Sequence, residues 1–221
     1  PTLTNCTFSL NTGSGMTNSS SSPVLVGCTF VGNTNDHWGG GMSNLFSSSP
    51  VLTNCTFAGN WAGISGGGLY NQDESSPGLT NCTFSGNHGG AIFNRRQSSP
   101  VMANCILWGD GSDEIVNEDL DCAPVVTFSD IQGGYEGEGN IDTAPLFLDP
   151  ASGDFHLGPG SPCIDVGNND APDLPGLDFE REPRVLDGDD DGIAIVDMGV
   201  DEFAVDWPDS RIHLPLVFRG Y

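Results

Sequence analysis

The stretch that decides the fold runs Ser-Ser-Pro50-Val-Leu-Thr-Asn-Cys55-Thr-Phe57. Close copies of it recur along the first half of the chain, with their prolines 22 to 27 residues apart. A unit this short cannot bury its own apolar face, so such repeats are stable only when they stack on one another. The copies begin at Pro1, Pro23, Pro50, Pro77 and Pro100, with a degenerate copy at Pro124.

The spacing within one copy indicates which side chains face the interior. Cys55 and Phe57 are two residues apart and therefore point the same way from a strand. Leu52 lies three residues before Cys55, so Asn54 must occupy a bend if all three side chains are to face inward. The pattern predicts an inward column of thiols and a column of bend amides that bond to the coils above and below; these residues are Cys6, Cys28, Cys55, Cys82 and Cys105, and Asn5, Asn54, Asn81 and Asn104.

A second motif, Gly39-Gly-Gly-Met42-Ser-Asn44, recurs at 66–71 and 89–94 in the same phase. Two or three short strands per repeat predict one turn of a β-solenoid, with about 4.8 Å between coils. Leucine-rich spacing and a 3.6-residue period are both absent, which argues against leucine-rich and helical repeats. We therefore predict an all-β, right-handed parallel β-helix of about six coils with an acidic C-terminal cap. The predicted divisions are coils at 1–138, the cap at 139–205, and a linker with an apolar strand at 206–221.

Charge separates the two halves of the chain. The 221 residues include 30 acidic residues and only six basic ones, all arginine, for a net charge of −24. Only Asp36, Asp73 and Glu74 precede residue 110. A surface of this charge repels nucleic acid and anionic lipid. The sequence contains no apolar run of about 18 residues, so it predicts no membrane-spanning helix.

Four motifs mark the acidic half: Asn140-Ile-Asp-Thr-Ala-Pro-Leu-Phe147, Ser161-Pro-Cys-Ile-Asp165-Val-Gly167, the turn from Asp178 to Arg184, and Asp197-Met-Gly-Val-Asp-Glu202. With them the chain resembles bacterial right-handed parallel β-helix proteins that carry a choice-of-anchor domain of the Q type. The body repeats are also similar to those of polymorphic outer-membrane proteins. The ending Gly199-Val-Asp-Glu202 departs from the family's common Gly-Ala-Tyr-Glu. The resemblance implies a location outside the cell or at its surface, and no established reaction.

The strongest chemical motif is Asp187-Gly-Asp189-Asp-Asp191-Gly192. Carboxylates at alternating positions before a glycine are typical of a calcium loop, because the turn directs several oxygens to one point. We expect Ile193 to add its carbonyl and Asp197 to replace the glutamate that normally closes such a loop, with Glu202 as the less favoured alternative. The alternative is a solvated acidic turn without an ion. The sequence thus predicts structural calcium on Asp187, Asp189, Asp191, Ile193 and Asp197.

An enzyme is the less favoured interpretation. A polysaccharide lyase needs a basic group that removes the proton and a cation that neutralises the uronate. The body offers only Arg95 and Arg96, which point to opposite faces if they lie on a strand. His37, His88 and His156 have no cysteine or histidine at metal-ligand spacing. A weaker hypothesis is a sugar-binding stripe of stacked rings formed by Trp38, Trp61 and His88.

The sequence therefore predicts a non-catalytic structural or adhesive solenoid outside the cell or at its surface. Polysaccharide binding or lyase activity is the alternative. The chain begins inside a repeat, which indicates a processed or truncated piece. If it is the whole mature protein, its uncapped end favours stacking of copies into filaments; if it is a fragment, missing coils explain the open end. The column thiols are expected to be free, whereas a Cys122–Cys163 disulfide stays open as a possibility.

Overall fold

The computed structural model describes residues 1–111 and 113–204, and it is a parallel β-solenoid. The predicted fold class is confirmed. The predicted linker and strand at 206–221 lie outside the described residues. The one helix in the described ranges is a single 3₁₀ turn, Pro150–Ser152, and no helix there is long and apolar enough to cross a membrane.

Three parallel sheets run along the solenoid, and each turn contributes one short strand to each sheet. Two sheets have six strands and the third has five, so about five full turns are stacked. The first sheet contains β1 (Thr2–Thr4), β4 (Val24–Val26), β8 (Val51–Thr53), β12 (Gly78–Thr80), β15 (Val101–Ala103) and β18 (Val125–Thr127). The second contains β2 (Thr7–Ser9), β5 (Thr29–Val31), β9 (Thr56–Ala58), β13 (Thr83–Ser85), β16 (Ile106–Trp108) and β19 (Asp130–Ile131).

The third sheet follows the glycine-rich motif of each repeat. It contains β3 (Met16–Ser19), β7 (Met42–Leu45), β11 (Leu69–Asn71), β14 (Ile92–Asn94) and β17 (Ile115–Asn117). A short fourth pair, β6 (Thr34–Asn35) and β10 (Trp61–Ala62), extends the wall between the second and third sheets. The acidic half adds two antiparallel pairs: β20 (Phe147–Asp149) with β21 (Asp154–Leu157), and β22 (Val185–Leu186) with β23 (Ile195–Val196).

The bend at Asn54 has the geometry that the spacing requires. Its φ of 49° lies in the left-handed region, where asparagine is tolerated better than most residues. Asn5, Asn81 and Asn104 have nearly the same φ. This turn brings Leu52 and Cys55 to the same interior, because it adds one residue between two alternating strands.

The interior is an axial column in which equivalent side chains stack. The phenylalanine rings have centroids 4.6–4.7 Å apart and planes within 5° of parallel, the spacing of the coils themselves. The thiols form a parallel column that is buried at four rungs and half-buried at Cys6, in the first turn. The stacked rings are those of Phe8, Phe30, Phe57 and Phe84.

Two amide ladders, buried except at Asn11 and Asn117, also run along the axis. In each, one side-chain N–H donates to the equivalent side-chain oxygen in the next turn, at 2.6–3.0 Å. Such ladders satisfy polar groups that would otherwise be buried without partners. One ladder consists of Asn18, Asn44, Asn71, Asn94 and Asn117, and the other of Asn11, Asn33, Asn60, Asn87 and Asp110.

The acidic half covers both an end and a side of the solenoid. Residues 133–142 close the last turn: Ile131 and Phe128 donate backbone N–H bonds to Ile141 and Glu138, and Tyr135 packs against the main core. The chain from Pro145 to Ala204 then returns along the outside of the second sheet. The predicted cap is therefore only partly terminal, because most of it is a lateral layer. We call residues 145–204 the lateral segment.

Candidate functional site

The lateral segment is attached to the solenoid through its bend residues. Asn81 donates from Nδ2 to the carbonyls of Asp197 (2.9 Å) and Gly199 (3.1 Å). Asn54 donates to the carbonyl of Leu177 at 2.7 Å. Of the predicted axial bonds between bend amides, the described residues contain one, from Asn104 to Asn81 at 3.3 Å. The bend asparagines therefore act mainly as docking groups, because their amides face outward.

A fully buried arginine holds the lateral segment together. Arg184 donates from Nη1 to the carbonyl of Val200 at 2.9 Å and from Nη2 to that of Gly199. Its Nε is 3.9 Å from an oxygen of Glu202, which is also buried. Burial, together with nearby Asp197, raises the pKa of Glu202 to about 9. Two of the four motifs, the turn ending at Arg184 and the stretch ending at Glu202, thus meet in one charged core.

Asp165, from a third motif, organises the acidic loop. Its Oδ2 accepts hydrogen bonds from the backbone N–H groups of Gly188 and Asp189, both at 2.7 Å. Its Oδ1 accepts one from Ile195 at 3.2 Å. A single buried carboxylate therefore fixes the beginning of the loop and the strand that follows it.

The predicted calcium ligands are only partly brought together. Asp187 and Asp189 lie with Asp165 so that one oxygen from each is within 4.8 Å of the others. Asp191 instead accepts the N–H of Ile193 at 2.8 Å, and Ile193 is exposed. Sequence reasoning missed Asp165, which lies 22 residues before Asp187.

The predicted closing ligand, Asp197, is committed elsewhere. Its Oδ1 accepts the N–H of Asp165 at 2.7 Å and its Oδ2 that of Phe203 at 2.6 Å. Burial raises the pKa of Asp197 to about 7. Its carboxyl therefore acts as a backbone clamp between two parts of the lateral segment.

A second cluster of metal-binding side chains contains His156, Glu180 and Asp201. Nothing in their spacing indicated it, since they come from three separate stretches of the acidic half. One ligating atom from each lies within 4.8 Å of the others. The contact between these stretches exists only in the folded lateral segment.

The predicted sugar-binding rings form two separate groups. Trp61 and His88 stack on neighbouring turns with centroids 5.7 Å apart. Trp38 packs instead on Tyr70, at 5.1 Å, and on Phe93, at 5.5 Å. A groove of about 310 Å³ runs beside Trp38, lined by Ser14, Thr17, Asn35, His37, Ser43, Leu45, Tyr70 and Gln72.

The two arginines of the body are each bound to an acid. Arg95 lies 2.8 Å from a carboxylate oxygen of Glu118, and its guanidinium is over the Trp38 ring at 5.6 Å. Arg96 lies 3.2 Å from Asp73. A groove of about 340 Å³ surrounds Arg96 and is lined mostly by acids: Asp73, Glu74, Asp119 and Asp121, with Gln97.

All seven cysteines are free thiols. The possible Cys122–Cys163 disulfide is not formed, because the Cys163 thiol donates to Oδ2 of Asp130 at 3.3 Å. Burial raises the pKa of both groups, and that of Asp130 rises to about 6. Burial likewise raises the pKa of the column thiol Cys82. Buried free thiols in an apolar column fit a packing role.

Comparison with known proteins matches the repeat body to a family described as the right handed beta helix region, over residues 1–105 and 38–130. The chain belongs to this family. The match covers the solenoid through β18, ends at the first residue of β19 and does not reach the lateral segment. No curated protein and no solved structure matches the chain. Right-handed β-helices include both enzymes and non-enzymes, so membership gives the fold and leaves the function to the site.

Proposed function

We propose that this β-helix is a non-catalytic structural or adhesive module that acts outside the cell or at its surface. The observation that carries the proposal is the pair of uninterrupted amide ladders beside the phenylalanine column. Every rung bonds to the next at 2.6–3.0 Å, which makes the solenoid a stiff rod stabilised along its length. Stacked repeats of this kind extend a surface without requiring a pocket.

The charges around the body arginines favour a non-catalytic role. A lyase needs a cation available to the uronate carboxylate. Arg95 is paired with Glu118, and Arg96 lies in a groove with four carboxylates. An acidic polysaccharide would be repelled from this groove, because the acids outnumber the arginine.

Two experiments test the proposal. Incubation with a panel of acidic polysaccharides should yield no unsaturated products by ultraviolet absorbance. If the parent protein forms unsaturated products and the Arg95→Ala variant does not, the non-catalytic proposal is overturned in favour of a lyase. Antibodies against the solenoid should label intact cells of the source or its medium, and labelling only after the cells are broken would contradict the extracellular assignment.

Polysaccharide binding is the second candidate, and the groove beside Trp38 favours it. Hydroxyl and amide groups line this groove with the rings of Trp38, Tyr70 and His37, and acids are absent from its lining. Rings beside such polar groups are typical of neutral sugar binding. A glycan array should then show a ligand that Trp38→Ala loses and Trp61→Ala retains; equal binding by both variants would place the sugar elsewhere.

We also propose that copies of the chain can stack end to end. Among the described residues, the strands of the first turn, β1, β2 and β3, each pair with a neighbour on one side only. Unpaired strand edges are templates for further strands. Electron microscopy should show fibres of constant width, and dispersed particles at high concentration would exclude assembly.

Calcium binding is proposed at Asp165, Asp187 and Asp189. Three carboxylate oxygens within 4.8 Å repel one another, and a hard cation with oxygen ligands relieves that repulsion. Calcium should raise the melting temperature and EDTA should reverse the increase. Asp189→Asn should abolish the response, whereas exposed Asp36→Asn serves as the control. A melt unaffected by calcium in the parent would refute the site.

A further inference from the structure

We infer that His156, Glu180 and Asp201 form a site for a divalent transition metal of the zinc class, separate from the all-oxygen cluster at Asp165. His156 lies on β21, Glu180 in the turn before Arg184, and Asp201 after β23. The fold brings one ligating atom from each to within 4.8 Å of the others. His156 and Asp201 are more than nine-tenths buried.

The imidazole is oriented as in a metal site. Its Nδ1 is hydrogen-bonded to the carboxylate of Asp154 on the same strand. Its Nε2 lies 2.8 Å from an oxygen of Glu180. A carboxylate that holds one ring nitrogen fixes the tautomer and directs the other nitrogen to a metal, an arrangement that metal-binding histidines commonly show. Asp154 is therefore a positioning residue.

The charge of the cluster also favours a cation. Three carboxylates, from Asp154, Glu180 and Asp201, surround one imidazole. Asp201 is buried, with one oxygen held by the N–H of Leu157 at 2.8 Å. The nearby Arg184 is already bound to backbone carbonyls and Glu202. The contact between His156 and Glu180 holds one proton, which carries a single positive charge. A divalent ion in its place would neutralise more of the negative charge of the three carboxylates.

The donor set selects the class of metal. One imidazole nitrogen and two carboxylates suit zinc and its first-row neighbours, whereas calcium prefers oxygen ligands alone. Three protein ligands leave a fourth position for water. The side chain of Glu180 is 31% exposed and provides a route for the ion.

The test is zinc titration by calorimetry on metal-stripped protein, with excess calcium present to occupy oxygen-only clusters. The parent should bind one equivalent of zinc, and His156→Gln should lose it. His88→Gln and Asp36→Asn, which alter groups outside both clusters, should retain it. Asp154→Asn should bind zinc about 10–100-fold more weakly, as expected for a residue that orients a ligand.

Two further measurements keep the proposal falsifiable if His156→Gln fails to fold. Glu180→Gln changes a partly exposed side chain, and it should weaken zinc binding while circular dichroism stays that of the parent. Cobalt should give visible d–d bands without a thiolate charge-transfer band. A thiolate band would assign the metal to cysteines, and zinc binding that is absent or equal in parent and His156→Gln would overturn the site.

Discussion

The solenoid body and the lateral segment bury polar groups in two different ways. In the body, neutral amides bond to their own copies in the next turn, so one side chain serves as both donor and acceptor. In the lateral segment, charged groups converge from distant motifs on Arg184 and Asp165. Neutral ladders do not depend on pH or ions, whereas a buried charged network depends on both. The stability of the body should therefore vary little with pH and ions, whereas the stability of the lateral segment should vary with both.

The largest effect should come from breaking the body at its centre. Phe57→Ala removes a fully buried ring that is stacked on both sides, and we expect a loss of ~5 kcal/mol in the free energy of unfolding, the upper end for such substitutions. Urea denaturation measures it. Phe46→Ala, at an exposed ring, is the control and should change stability little. Similar losses in both would contradict a packed axial column.

The next effect should come from the charged core. Arg184→Met leaves Asp178 and Asp201 buried without their cation, and we expect a loss of ~3 kcal/mol near neutral pH. The loss should shrink in acid, because protonation then removes the uncompensated charge. Denaturation monitored at both pH values measures it, with exposed Arg181→Met as the control. A loss that does not vary with pH would indicate that packing, not charge, is the role of Arg184.

The attachment between the two regions can be measured with a matched pair. Asn81→Ala and Asn5→Ala alter the same left-handed bend position, but only Asn81 donates to the lateral segment. Both variants incur the backbone cost, so their difference reports the bonds of the Asn81 amide, which are its two bonds to the lateral segment and the longer bond that it accepts from Asn104 at 3.3 Å. We expect Asn81→Ala to lose ~2 kcal/mol more, because two buried carbonyls lose their donor. Equal losses in urea denaturation would show that the lateral segment is held elsewhere.

The solenoid could be predicted because its information is local and repeated. The spacing of Leu52, Cys55 and Phe57 determines the strands, the bend and the inward faces, and each copy repeats it. The axial amide ladders were missed even though Asn44, Asn71 and Asn94 recur in phase. The glycine-rich motif contains these asparagines at equivalent positions, but the axial amide bonds were predicted for the bend asparagines instead.

The lateral segment could be predicted only as a set of motifs. The acidic loop from Asp187 to Asp191 suggested calcium, yet Asp165 enters that cluster from a distant motif and Asp197 is used as a backbone clamp. The cluster at His156 depends on contacts among three stretches without a repeat to align them. Long-range contacts of this kind are set by tertiary packing, so a single sequence does not reveal them.

The smallest effect tests a place where the body, like the lateral segment, buries an acid. Asp110 ends an amide ladder, where Asn87 donates to its Oδ1. In the earlier rungs the asparagine Nδ2 also donates to a backbone carbonyl, at 2.9 Å. Oδ2 of Asp110 takes the place of that Nδ2, so an ionised Oδ2 would face a backbone carbonyl, which is also an acceptor. Within the described residues, Oδ2 is buried without a hydrogen-bond partner. Burial raises the pKa of Asp110 well above its usual range, and the adjacent buried Glu114 raises it further.

Asp110→Asn should therefore stabilise the protein as the pH rises. The folded parent keeps a proton that the unfolded chain releases above about pH 4, so its stability falls with increasing pH toward the raised pKa. The amide carries no such proton and restores the donor of the earlier rungs. We expect a gain of ~1 kcal/mol near about pH 8 and little gain near about pH 4, measured by urea denaturation against exposed Asp36→Asn. A variant with the parent's pH dependence would show that Asp110 is ionised in the ladder, and the body would then contain a buried charge like those of the lateral segment.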